Sequence, residues 1–278
     1  MPFDISQMNQ ITLNNGQVIP QLGLGVYKVA QAAAVDLIGE AIATGYRRID
    51  TAALYGNEQE VGQGIRESGI AREEIFVTTK IWNDRQGRSE TPAAIEESLE
   101  RLNLGYVDML LIHWPCPTQD LFLETWQVFE DYLRSGLVRG IGVSNFQPSH
   151  LESLIALGGT MPALNQVELH PSFQQPTVRT FNANHGIATE AWAPLGRGRY
   201  AEDQTLAKIS RAHNKSVAQV ILRWHLQLGT LVIPKTTNPE RLVENISVFD
   251  FELTESEMAE IANLNTGART GLNPDEFG

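Results

Sequence analysis

Three things are scarce in this chain, and each scarcity excludes something. Of 278 residues only one, Cys116, is cysteine; this excludes an internal disulfide, cannot alone build a zinc site, and suits a reducing compartment. Positive charge is the second. There are 21 Lys and Arg against 33 Asp and Glu, a formal net charge of −12, so a nucleic acid or an anionic membrane would be repelled over most of the surface. Long apolar runs are the third: no stretch approaches the ~20 residues of a membrane-crossing helix. The opening MPFDISQMNQ lacks the basic region and apolar core of a secretory leader. The expectation is a cytoplasmic protein that engages neither nucleic acid nor membrane.

A hydrophobic fraction of 42% and a charged fraction of 19% are those of a globular chain with a substantial core. The start, ITLNNGQVIPQLG, alternates around Asn15-Gly16 and predicts a hairpin with a tight turn, about residues 10–20. From there short apolar runs alternate with amphipathic stretches. The runs lie at 22–26, 47–50, 75–80, 107–113, 138–144, 163–169, 187–193 and 231–235. Helix starts are marked between them by Asn57 with Glu60, by Thr91-Pro92, by Ser216 with Gln219, and by Asn238-Pro239.

Eight strand-like runs alternating with helices, with no low-complexity linker, predict an α/β fold: one (β/α)8 TIM barrel spanning residues 1–278. The tail, about residues 254–278, holds one more helical stretch and an irregular end over a barrel mouth. A doubly wound nucleotide-binding fold would carry Gly-x-Gly-x-x-Gly after its first strand. GLGVYK lacks the third glycine.

Chemistry in such barrels gathers at the C-terminal strand ends. Here those ends read Asp50, Lys80, His113, Ser144-Asn145, Asn165-Gln166, Trp192 and Lys235, with Tyr55 in the turn after the second strand. Each has an ordinary structural explanation alone, such as a local hydrogen bond for Asp50 or a core position for His113. Their coincidence at one mouth favours a site. A lysine ammonium about 4 Å from a phenol, at an effective dielectric near 20, supplies roughly 4 kcal/mol toward the phenolate. That is on the order of 3 pKa units, partly offset by desolvation. A carboxylate keeps the lysine charged and a histidine orients a carbonyl, so Asp50, Tyr55, Lys80 and His113 make a proton donor for a carbonyl becoming an alcohol.

Such a donor needs a hydride source, which no side chain provides and a nicotinamide does. Trp192 offers it a flat face, and Ser144, Asn145 and Gln166 offer partners for its carboxamide. Lys235, Thr236 and Arg241, at a loop and helix start, suit a phosphate monoester. No metal is called for.

The segments GYRRIDTAALYGNE, TKIWN, LLIHWP, GIGVSNF, NQVELHP, WAPLGRG and IPKTTNPERLVEN, taken in this order, resemble the successive signatures of the aldo-keto reductases. The likeness covers nearly the whole chain and is nearest to the bacterial 2,5-diketo-D-gluconate reductase-like members. The resemblance implies Tyr55 as general acid, Lys80 lowering its pKa, Asp50 paired with Lys80, and His113 orienting the substrate. It implies Ser144, Asn145, Gln166 and Trp192 around the nicotinamide and Leu195 and Gly196 at the pyrophosphate. Lys235, Thr236 and Arg241 would meet the 2′-phosphate of NADPH/NADP+, and Glu244 and Asn245 the adenine. Tyr27, Trp82 and Trp114 would line the substrate pocket. The expected activity is NADPH-dependent reduction of a small carbonyl compound (an aldehyde, keto acid or keto sugar such as diketogluconate) by a monomer. Two rivals stand beside it: a Schiff-base aldolase using Lys80, and a sensor that binds NADPH with negligible turnover.

Overall fold

The computed structural model describes residues 8–278, so most of the opening decapeptide lies outside it. Each of the eight apolar runs coincides with a strand, the third extending one residue past its predicted end to Ile81. After a hairpin of β1 (Gln10–Thr12) and β2 (Val18–Pro20) come β3 (Leu24–Gly25), β4 (Arg48–Asp50), β5 (Phe76–Ile81) and β6 (Met109–Ile112). β7 (Ile141–Ser144), β8 (Leu164–Glu168), β9 (Ala188–Trp192) and β10 (Leu231–Val232) complete the set. β3 to β10 lie in chain order as one parallel sheet. The sheet closes on itself: Leu22 bridges Val232 in parallel, with Gly23 N–H donating to Val232 O at 2.8 Å and Val232 N–H to Gln21 O at 2.9 Å. The predicted TIM barrel is therefore the observed architecture.

Period-2 alternation sorts the strand side chains onto two faces. Outward residues such as Ile49, Val77, Leu110, Val143, Val167 and Val232 join the core beneath the surrounding helices. Inward residues at the lower end form a second apolar cluster, where Phe76, Met109, Leu111, Leu164 and Leu231 meet Leu13 and Ile19 of the hairpin. The hairpin thus plugs the barrel floor. Its turn differs from the expectation. Leu13 N–H reaches Gln17 O at 2.8 Å, leaving a three-residue loop in which Gly16 takes φ 84°. Asn15 does not take a left-handed φ, because its side-chain oxygen already accepts the Gln17 N–H at 3.1 Å.

The helices, among the described residues, are α1 (Gln31–Thr44), α2 (Glu58–Glu67), α3 (Thr91–Leu102), α4 (Phe122–Ser135), α5 (Pro148–Leu157) and α6 (Pro176–Asn184). α7 (Gln204–His213), α8 (Val217–Gln227), α9 (Pro239–Ile246) and α10 (Glu255–Ala262) follow. Ser216 and Gln219 form the expected capping box on α8, and Asn238 caps α9 by accepting Glu240 N–H at 2.8 Å. Asn57 corrects the expectation. It precedes α2 but makes no side-chain cap, because its amide is spent joining Thr51 to the carbonyls of Val26 and Val29. Those bonds tie the loops after β3 and β4 together at the mouth. No helix among the described residues is long and apolar enough to cross a membrane.

Candidate active site

In register, Asp50 of β4 stands beside Thr78 of β5, and Lys80, two residues further on, faces the same interior. The Lys80 ammonium, fully buried, donates to Asp50 Oδ1 at 2.5 Å, to Thr51 O at 2.9 Å and to the Tyr55 hydroxyl at 3.4 Å. A short 3-10 turn, Ala53–Tyr55, brings the tyrosine back over the strand ends. His113 follows β6, and its ring edge meets Tyr55 at 5.8 Å and Trp82 at 5.0 Å between centroids. Asp50, Tyr55, Lys80 and His113 are thus one cluster.

The electrostatics differ from the expectation in one respect. Lys80 was expected to lower the Tyr55 pKa; instead the phenol is pushed well above its ordinary 10.0, by burial first and then by Asp50 and Tyr27. The reason is geometric. The lysine charge is partly offset by Asp50 at 2.5 Å, so in the resting site desolvation outweighs its attraction for a phenolate. Burial lowers Lys80 from 10.5 while Asp50 pulls it back up. Burial, with Lys80 nearby, holds His113 well below 6.5. The resting cluster therefore contains a neutral phenol and a neutral imidazole.

Around the mouth, Tyr27 lies 5.0 Å from Tyr55 between centroids, and Trp82 and Trp114 face Phe277 of the tail at 6.3 and 4.8 Å. On the opposite rim Trp192 ends β9, its Nε1–H donating to Asn145 Oδ1 at 2.8 Å. Asn145 Nδ2 donates to His113 O and Ser144 Oγ, and Ser144 Oγ donates to Gln166 O. Gln166 Nε2 spans Asp50 Oδ2 at 2.7 Å and Glu190 Oε2 at 3.0 Å.

The sequence profile of the Aldo/keto reductase family matches residues 21–266. The chain belongs to the aldo/keto reductase family. Glyoxal reductase of Bacillus subtilis is 48% identical over 273 residues, covering 98% of both chains. Methylglyoxal reductase DkgA of Salmonella typhimurium is 44% identical over 270 residues, covering 96% of this chain and 98% of the relative. A solved structure of a Gox0644 variant in complex with NADPH superposes with a TM-score of 0.94 at 43% identity, covering 98% of this chain and 99% of that one.

As an aldo/keto reductase the chain is a carbonyl oxidoreductase, and its residues can be tested for fit to a dinucleotide. Among the described residues neither Lys235 nor Arg241 has an acidic partner, and both are exposed, so two free cations stand at the N-terminal end of α9. Thr236 is buried between them and its hydroxyl accepts Asn238 N–H at 3.0 Å. Glu244 and Asn245 lie further along α9. Leu195 precedes a tight turn at Gly196–Gly198. Gly196 has φ +55°, and a Cβ there would come within 2.5 Å of the Tyr200 ring, so its backbone must stay bare. These features fit a phosphorylated ligand.

Several residues of this aldo/keto reductase were not singled out from sequence. Arg48 pairs with Glu190 inside the barrel, both fully buried. Phe277 packs against Trp82 and Trp114, and Glu168 binds the tail through Thr270 and Gly271. Period 2 carried a usable signal for three of them: Arg48 precedes Asp50, Glu168 follows Gln166 and Glu190 precedes Trp192 by two positions each. Phe277 had no periodic signal, only the expected course of the tail over the mouth, because it arrives from the far end of the chain.

Proposed function

We propose that this chain is an NADPH-dependent reductase of small 2-oxoaldehydes, in which Tyr55 is the proton donor. One observation carries the reading: the Tyr55 hydroxyl lies 3.4 Å from an ammonium that is itself locked on a carboxylate at 2.5 Å. Bound NADPH supplies the hydride. As the carbonyl oxygen becomes an alkoxide, the Tyr55 O–H bond breaks and the proton completes the alcohol. Lys80 then stabilises the phenolate, and Asp50 holds Lys80 protonated against burial. The neutral imidazole of His113 donates its N–H to the carbonyl oxygen and fixes its direction.

The cofactor assignment draws on the fit of Lys235, Thr236 and Arg241 to a phosphate and on the NADPH complex of the superposed relative. Ser144 and Asn145 are engaged with each other and with neighbouring groups, and the two amide hydrogens of Gln166 go to Asp50 and Glu190. They therefore form the frame that sets Trp192, with Gln166 Oε1 left to accept from a carboxamide. The substrate class draws on the relatives named for glyoxal and methylglyoxal. It also draws on the ring box of Tyr27, Trp82, Trp114 and Phe277, which favours these over a keto sugar such as diketogluconate. A Schiff-base role for Lys80 is disfavoured, since an amine donating to Asp50, Thr51 O and Tyr55 has no lone pair to attack with.

The test is Tyr55→Phe. It is expected to lower kcat with methylglyoxal by about 10²–10⁴-fold while NADPH binding, followed by quenching of tryptophan fluorescence, stays near wild type. Reductase activity retained in that variant would overturn the role of Tyr55, and tight NADPH binding with no turnover by the wild type would favour a sensor.

A further inference from the structure

Glu168 ends β8 on the inward face, two residues beyond Gln166, and is 1% exposed. A carboxylate in that position is costly unless several donors meet it. Four do. His170 Nε2 lies 3.1 Å away, and the other three come from the C-terminal segment: Thr270 N–H at 2.6 Å, the Thr270 hydroxyl, and Gly271 N–H at 2.9 Å. These bonds hold the Glu168 carboxyl at about 2 against the pull of burial. The adjoining loop reinforces the attachment, since Ser172 O accepts the amides of Thr266 and Ala268 at 3.1 and 3.2 Å.

The segment so held touches both sides of the site. At Gly271 it lies edge-on to Trp192, and a Cβ there would stand 2.5 Å from Cη2 of the indole and 3.0 Å from Glu168 Oε2. Because the indole Nε1 is bonded to Asn145 at 2.8 Å, the ring is fixed at both ends. Six residues further on, Phe277 packs on Trp114 and Trp82.

We infer that Glu168 is a positioning residue that latches the C-terminal segment to the edge of Trp192 and thereby sets Phe277 as a wall of the substrate pocket. The inference rests on the reductase reading for its kinetic consequence, but its structural consequence stands apart. Arg269-Thr270 is a trypsin site, and Thr270 supplies two of the latch bonds. In the full-length enzyme Glu168→Gln removes the charge that four donors share, and trypsin cleavage after Arg269 is expected to accelerate about ten-fold. KM for methylglyoxal is expected to rise about ten-fold with a smaller change in kcat. Thr270→Val, on the surface segment where it leaves the barrel intact, is expected to move both readouts in the same direction by a smaller factor. The Glu168→Gln/Thr270→Val pair should be clearly non-additive. Unchanged cleavage in both single variants, or full additivity in the pair, would overturn the latch. Because cleavage requires no turnover, that failure is separable from failure of the Tyr55 assignment.

Discussion

The two ends of the barrel interior are built from opposite materials. At the floor, Phe76, Met109, Leu111, Leu164 and Leu231 close on Leu13 and Ile19 of the hairpin, all buried and apolar. Above it, the same inward faces carry Arg48, Gln166 and Glu190 and then, at the mouth, Asp50, Lys80 and Glu168, almost equally buried and, Gln166 apart, charged. The floor gains free energy from burial and close packing. The mouth carries a desolvation cost that its ion pairs and hydrogen bonds offset only when all are in place. The difference teaches where this barrel keeps its stability and where it keeps its chemistry.

The contrast can be broken experimentally. Lys80→Met at the mouth is expected to lower kcat by about 10²–10⁴-fold and also to destabilise by about 3–5 kcal/mol, because Asp50 is left buried and unpaired. Lys80→Met with Asp50→Leu should recover most of that stability in denaturant titrations and none of the activity; recovered turnover would refute the division of labour. At the floor, Leu111→Ala should cost about 2–5 kcal/mol in the same titration, with turnover per folded molecule near wild type. Gln166→Leu sits between the two regions. It strips a donor from both Asp50 and Glu190 and should cost about 1–3 kcal/mol.

The smallest effect is on pH dependence. The folded-state pKa of His113 lies well below its ordinary 6.5, so below pH 6.5 the unfolded chain takes a proton that the folded chain refuses. The stability contributed by neutral His113 is complete above that value and is lost as pH falls toward the folded pKa, by at most ~1.4 kcal/mol per pH unit. In His113→Asn the slope of unfolding free energy against pH between 5 and 6.5 should be shallower by that share. An unchanged slope would show that the imidazole is not held neutral.

How far the sequence was legible follows the same contrast. Strand existence was readable because each run is mostly apolar on the outward face, Thr79, Asn165 and Thr189 apart, whatever its interior face carries. The runs at 107–113 and 138–144 contain shorter strands, Met109–Ile112 and Ile141–Ser144, since strand ends are decided by neighbouring loops rather than by local hydrophobicity. Asp50, Lys80 and His113 were legible as polar residues ending apolar strands. Arg48 and Glu190 carried the same period-2 signal but their pairing was not legible, because a charge inside a strand reads as solvated until a partner 142 positions away is brought beside it. Asn57 failed as a helix cap for a related reason: its amide found stronger partners in Val26 O, Val29 O and Thr51 than the helix end offered.

By itself the sequence determined the alternation of strands and helices, the closed parallel barrel that such alternation favours, and the mouth to which Asp50, Lys80 and His113 belong. Periodicity and strand-end chemistry are local properties that every residue carries with it. Only the tertiary structure decided that Lys80 spends its charge on Asp50 and leaves Tyr55 a neutral phenol, that Gln166 ties Asp50 to Glu190, and that the last residues of the chain return to Trp192 and Trp114. Those outcomes depend on distances of a few ångströms between groups remote in the chain, and burial and Coulomb energies are set by such distances.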